Sequence, residues 1–282
     1  MSTQTLRDQY VNVGNINTRF RAAGDKGTPV ILIHGMGDSL EEWEFNINAL
    51  AQKHHVYAID LVGFGHSDKP EPSYSPEYSN FARFVNDFMT VQGIERASLV
   101  GSSLGGAISL LFAIQFPEKI EKMVLVNSSG LGKELALVFK LATLPRIGEL
   151  LIRPSRKGIA MSQKALVYDK TIVTDEQVEI YYQLALVPGW QEYFLSTLRN
   201  FAGFRGQRAD VMRPIVDNLA SITAPTLIIW GQQDQIIPVA HAQVAKERIP
   251  NAKLHIFDPC GHIPPRERPE EFNNLVLEFL AK

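Results

Sequence analysis

Residues 99–107 read LVGSSLGGA and set two adjacent serines between glycines, directly after an apolar run. A serine hydroxyl attacks a carbonyl carbon when a base takes its proton and a third group orients that base. Gly101-Ser102-Ser103-Leu104-Gly105 fits G-x-S-x-G, a sharp strand-to-helix turn that lifts the serine Oγ above the end of a sheet. The register selects Ser103. A nucleophile at Ser102 requires glycines at positions held by Val100 and Leu104. The helix beginning at Leu104 aims its N-terminal amides at the same point, where they favour negative charge.

The partners of such a serine follow it in the order acid, then histidine. Asp234 comes just after the apolar run PTLIIWG (225–231), and His262 just after KLHIFD (253–258). Both positions are carboxyl ends of expected strands, where open α/β sheets build their sites. Ser103, Asp234 and His262 are therefore the expected nucleophile, orienting acid and base. Asp258 is a weaker rival, because it precedes Pro259 and suits a turn. An oxyanion needs two donors, and the backbone N–H groups of Leu104 and of Met36, in HGMGDS (34–39), are the candidates.

Other polar residues near these motifs have plainer roles. His34 reads as a hydrogen-bonded loop support. Asp60, opening DLVGFGHSDKP (60–70), reads as a turn cap rather than a second acid. His54 and His55 suit a loop or strand start, and His66 and His241 suit surface or packing positions. No His, Cys and Asp grouping has metal-ligand spacing, so neither a metal nor a cofactor is expected.

These residues require a frame. YVNVGNINTRFRA (10–22) alternates apolar and polar residues around Gly14-Asn15 and predicts a hairpin. Short apolar runs follow at 29–35, 55–61, 97–102, 122–128, 225–231 and 253–258, as in strands buried on both faces. Helical spacing predicts Leu104–Gln115, with Ala107, Ile108, Leu111 and Ile114 on one face, and Pro269–Ala281. Alternation of strand and helix argues for a doubly wound α/β fold. The alternation lapses from Leu131 to Ile222, too long a stretch for a loop. The expected organisation is a core of residues 1–130 and 223–282 with a helical cap at 131–222.

The chain has 282 residues, 45% of them hydrophobic, and a net charge of −2. That balance gives no reason to expect nucleic acid or an anionic membrane as the partner, and the lack of an 18-residue apolar run gives none to expect stable membrane insertion. Cys260 is the lone cysteine, and the opening stretch MSTQTLRDQYVNVGN lacks an apolar signal core, so a cytoplasmic setting is expected. A homodimer is left open.

LIHGMGDS, DLVGFGHSDKP, LVGSSLGGA, PTLIIWGQQD and CGHIPPRERPEEF, in that order, resemble the α/β-hydrolase superfamily over nearly the whole chain. The resemblance implies an eight-stranded, mostly parallel sheet with one antiparallel strand, and a helical cap between the sixth and seventh strands. Within the superfamily the chain looks most like the carboxylesterase, lipase and meta-cleavage-product hydrolase branch. Ser103 stands where haloalkane dehalogenases and related epoxide hydrolases use an aspartate. Carbon–carbon hydrolases of aromatic degradation often carry Asn before the nucleophile and Trp after the histidine; here those positions are Ser102 and Ile263. Cofactor-free haloperoxidases and perhydrolases often have Met where Leu104 stands.

The expectation is a serine hydrolase of small to medium apolar carboxylic esters, with Gly35, Ser102 and Ile263 touching substrate. The alternatives are a carbon–carbon bond hydrolase with the same triad and a non-enzymatic ligand receptor. The apolar stretches LALVFKLATL (135–144) and YYQLALVPGW (181–190) are expected mostly to pack the cap on the core, the remainder lining an apolar pocket. A membrane-surface helix at 135–152 is the lesser reading of the first.

Overall fold

The computed structural model describes residues 6–70 and 77–282; residues 1–5 of the polar opening stretch lie outside that range. β1 (Gln9–Val13) and β2 (Ile16–Ala23) form the expected hairpin, in which Val13 pairs with Ile16. Gly14 makes the turn at φ +62°. The strands that follow are β3 (Pro29–Ile33), β4 (His55–Ile59), β5 (Ala97–Ser102) and β6 (Ile120–Val126). A two-residue ladder, β7 (Ala202–Gly203) with β8 (Gly206–Gln207), stands apart. The chain then returns to the main sheet in β9 (Thr226–Gly231) and β10 (Ala252–Phe257).

The main sheet has eight strands in the order β1-β2-β4-β3-β5-β6-β9-β10. β2 pairs antiparallel with both neighbours, and every other adjacent pair is parallel. Both faces are covered, which explains why the strands read as continuous apolar runs. Along β3, Val30 and Leu32 face one core with Trp43, Ile47 and Phe272. Ile31 and Ile33 face the other, with Phe81, Phe88 and Ile108. A period of two with apolar residues in both phases leaves no alternation to see.

The helices divide accordingly. α1 (Ile47–Leu50) and α12 (Pro269–Ala281) lie with the first core, α11 (Pro264–Glu267) packs beside α12, and α2 (Tyr78–Val91) and α3 (Leu104–Gln115) lie with the second. α3 is buried all round from Leu104 to Ala113, so its expected single apolar face is an understatement. α10 (Ala240–Arg248) connects β9 to β10.

Between β6 and β9 the chain runs through α4 (Leu137–Ala142), α5 (Ile147–Leu151), α6 (Arg156–Leu166), α7 (Asp175–Ala185), α8 (Trp190–Phe201) and α9 (Ala209–Val216). α8 anchors this helical segment on the sheet side: Phe201 stacks on Tyr78 at 4.0 Å, and Tyr193 meets Phe64 edge-on at 5.3 Å. Among the described residues no helix is long and apolar enough to cross a membrane.

From β3 the chain moves to β4 on one side, whereas from β5 it moves to β6 on the other. The loop after β3 and the turn after β5 therefore stand side by side, at the point where the strand order reverses.

Candidate active site

Ser103 occupies that point. Its backbone has φ 50° and ψ −109°, a conformation that costs free energy for a residue with a side chain. Local packing imposes it. A Cβ on Gly101 would sit 2.2 Å from the Gly105 carbonyl oxygen, and one on Gly105 would sit 2.2 Å from that of Ile33. Only glycine lets strand, turn and helix approach this closely. The Ser103 N–H donates to the Val126 carbonyl at 2.9 Å, and its own carbonyl accepts from Ser129 N–H at 3.0 Å.

Asp234 and His262 meet across the ends of β9 and β10. His262 Nδ1–H donates to Asp234 Oδ2 at 2.7 Å, which leaves Nε2 as the ring's acceptor. Asp234 also accepts from Ile236 and Ile237 N–H at 2.7 and 3.0 Å, and from Asn127 Nδ2 at 2.6 Å. Burial pushes the His262 imidazole pKa down, but the charge and hydrogen bond of Asp234 outweigh it, and the net shift is upward. Ser103, His262, Met36, Leu104, Gly35, Ser102 and Ile263 all line one cavity. All the site residues expected from the sequence thus gather at one place, with Asp234 behind His262. Asp258 is exposed and accepts from Gln233 instead.

The supporting residues also fall where they were expected. His34 is buried, with Nδ1 donating to the Gly35 carbonyl at 2.7 Å and Nε2 accepting Leu61 N–H at 3.0 Å. Asp60 caps its turn and does more: it accepts from Leu40 and His66 N–H at 2.7 and 2.8 Å and pairs with Arg19 at 3.2 Å. Among the described residues no group of three or more His, Cys, Asp or Glu is placed to hold a metal ion.

Sequence reasoning missed several participants. Glu42 is fully buried beside the site. Its Oε2 accepts Gly35 N–H at 2.9 Å, and its carboxyl lies near the Ser102 side chain, so one side chain reaches from the β3 loop toward the Ser103 turn. Burial pushes its pKa up, against the pull of the Ser102 hydroxyl and the Gly35 N–H. Asp38, likewise on the cavity wall, is pushed up to about 7 by burial and by the neighbouring Glu42. Glu267 accepts from Gly261 N–H and Tyr168 N–H, both at 2.7 Å, and the Leu166 carbonyl accepts His262 N–H at 2.6 Å. Asn127 was the legible one, since it follows β6 at a strand's carboxyl end, as Asp234 follows β9.

The stretch 135–144 meets the packing expectation in part: Leu135, Ala136, Phe139 and Ala142 pack on the core, Leu135 and Phe139 also line the cavity, and Leu137 and Val138 are exposed. The 181–190 stretch conforms better, with Tyr181, Leu184, Ala185 and Trp190 buried.

Comparison with known proteins sharpens the class. The family described as alpha/beta hydrolase fold matches residues 28–269. The chain belongs to the α/β-hydrolase family. An uncharacterized protein of Mycobacterium tuberculosis is 34% identical over 96% of this chain and 80% of its own. A 2-hydroxymuconate semialdehyde hydrolase of Pseudomonas putida is 32% identical over 91% of this chain and 88% of its own. The solved meta-cleavage product hydrolase CumD of Pseudomonas fluorescens IP01 superposes with TM-score 0.83 at 29% identity, covering 97% of both chains. This α/β-hydrolase is a hydrolase in activity as well as in fold. Its characterised relatives favour the carbon–carbon alternative over the ester expected from sequence.

Proposed function

We propose that this hydrolase works through Ser103 as nucleophile, His262 as general base and acid, and Asp234 as the orienting carboxylate. The observation that supports it most is the 2.7 Å Asp234–His262 hydrogen bond, behind a cavity whose wall holds both His262 and the constrained Ser103. His262 Nε2 takes the hydroxyl proton as Ser103 Oγ attacks a carbonyl carbon. Asp234 stabilises the imidazolium that forms. The N–H groups of Met36 and Leu104 receive the oxyanion, each such donor contributing about 3–4 kcal/mol. His262 then gives its proton to the leaving group, and water releases the acyl group from Ser103 by the same steps in reverse.

The bond cleaved decides the substrate class. Similarity to the meta-cleavage product hydrolase CumD and to a 2-hydroxymuconate semialdehyde hydrolase supports carbon–carbon cleavage as the first reading. One observation supports the ester reading: the cavity wall holds Asp38 and Glu42 and no Lys or Arg among its described residues. A carboxylate-bearing dienoate finds no cation on such a wall, whereas a neutral apolar ester needs none. In both readings the helical segment acts as a cap, because Leu135, Phe139, Leu166, Leu198 and Phe201 close the cavity over Ser103.

The test runs 2-hydroxy-6-oxo-6-phenylhexa-2,4-dienoate, the substrate named for a relative, against a chain-length series of p-nitrophenyl esters. The higher kcat/KM assigns the bond, and Ser103→Ala abolishes turnover of either. A wild type that turns over neither class, and is not labelled at Ser103 by a fluorophosphonate, sinks the proposal.

A further inference from the structure

The exposed large apolar side chains are unevenly spread. Leu137, Val138, Ile147, Leu150 and Leu151 all stand exposed on α4 and α5, two helices in contact with each other. Leu150 is 73% exposed and Leu137 64%. Ile147, Leu150 and Leu151 follow i, i+3, i+4 spacing and share one face of α5. Single exposed leucines are ordinary, but a contiguous group marks a surface that something covers. The helices are held from the other side: both contact α8, Ala142 and Gly148 are buried, and Phe139 reaches the cavity wall.

The charge around this face is distinctive. Between positions 133 and 157 stand Lys133, Lys140, Arg146, Arg153, Arg156 and Lys157 against Glu134 and Glu149, in a chain whose net charge is −2. Both acids are engaged. Glu134 pairs with His241 at 2.9 Å, and Glu149 with Arg199 at 2.8 Å. Arg156 is held by Glu179 at 2.7 Å, while exposed Arg146 and Arg153 flank the two ends of α5.

We propose that α4 and α5 dock this protein on the surface of an anionic phospholipid bilayer, with the leucines at the headgroup boundary and the basic side chains on the phosphates. An interfacial helix needs this pairing of an apolar face with a cationic rim. A second copy of the chain fits worse, because a two-fold interface on this face sets the cationic rim against itself. The docked face also adjoins the cavity: Leu135 and Phe139 line it beside Ser103.

Vesicle flotation of the full chain tests this without any turnover, so its outcome is separate from that of the proposed reaction. Phosphatidylglycerol vesicles at low salt are expected to take up the protein about tenfold more strongly than phosphatidylcholine vesicles, with the preference lost at high salt. Leu150→Glu combined with Leu151→Glu removes binding. Arg146→Glu combined with Arg153→Glu weakens it about tenfold. Thermal melting checks that each variant is folded, which exposed positions allow. No uptake by phosphatidylglycerol vesicles, or uptake unchanged in both folded variants, overturns the proposal. So does a concentration-dependent dimer in sedimentation velocity that the leucine variant dissolves while vesicles bind nothing.

Discussion

The turn at Ser103 lines a cavity that Phe139 of α4 also lines, yet the turn and the α4–α5 pair are built by opposite rules. At the turn, backbone oxygens stand where any side chain larger than glycine would collide, and the flanking strands and helix are wholly buried. At α4–α5 the helices are one to two turns long, no side chain caps either N-terminus, and the apolar residues face outward. Such short helices do not persist on their own propensity and depend on what they pack against. The proposed nucleophile thus sits on an over-determined frame, and this part of the helical segment on a locally weak one.

Variants on each side measure that contrast. Ser103→Ala has the largest effect: kcat falls by roughly 10⁴-fold or more with the fold intact, and persistent turnover removes Ser103 from the mechanism. Asp234→Asn follows, with kcat reduced by about 10³–10⁴-fold. The same variant reports on pH. His262 must be neutral to act as base, and its pKa lies above the ordinary 6.5, so the wild-type rate rises with pH through an inflection above that value. Removing the Asp234 charge moves the inflection down; an unmoved inflection assigns it to another group.

Gly105→Ala and Leu150→Ser compare the two regions in stability. The new Cβ at position 105 meets the Ile33 carbonyl at 2.2 Å, so a loss of about 3 kcal/mol or more is expected in urea melts. Leu150→Ser changes stability by about 0.5 kcal/mol or less. Equal losses at the two positions break the comparison. Glu42→Leu leaves the Gly35 N–H without its acceptor and costs about 1–3 kcal/mol, with slower turnover as the β3 loop drifts. Glu42→Gln keeps an acceptor and restores most of both.

Asp38→Asn is read in the pH dependence of stability. The folded-state pKa of Asp38, about 7, lies above the ordinary 3.8. Its contribution to stability is therefore full below 3.8 and is lost as pH rises through about 7. The variant flattens that fall in Tm, and an unaltered slope refutes the assignment.

The fold and the gathering of Ser103, Asp234 and His262 at the cavity were largely legible. Leu104–Gln115 and Pro269–Ala281 appear as helices at the positions their spacing predicted, and the strand runs agree within two residues or so. Asp234 and His262 were readable because a strand's carboxyl end is a position in the chain as well as in space. Glu42 was not. It stands in SLEEWEF with nothing to separate it from Glu41 or Glu44, yet Glu41 binds Arg19 and Arg21 while Glu42 turns inward to Gly35 and Ser102.

The amino-acid sequence by itself determined what local sterics and strand ends dictate: the doubly wound frame, the glycine-framed turn at Ser103, and the placing of Asp234 and His262 after β9 and β10. Tertiary structure decided which carboxylates are buried together and which apolar residues of the helical segment face the cavity or the solvent. The physical reason is range. A glycine turn or a doubly buried strand is specified by its neighbours in the chain, whereas the desolvation of Asp38 and the exposure of Leu150 depend on elements far away in it.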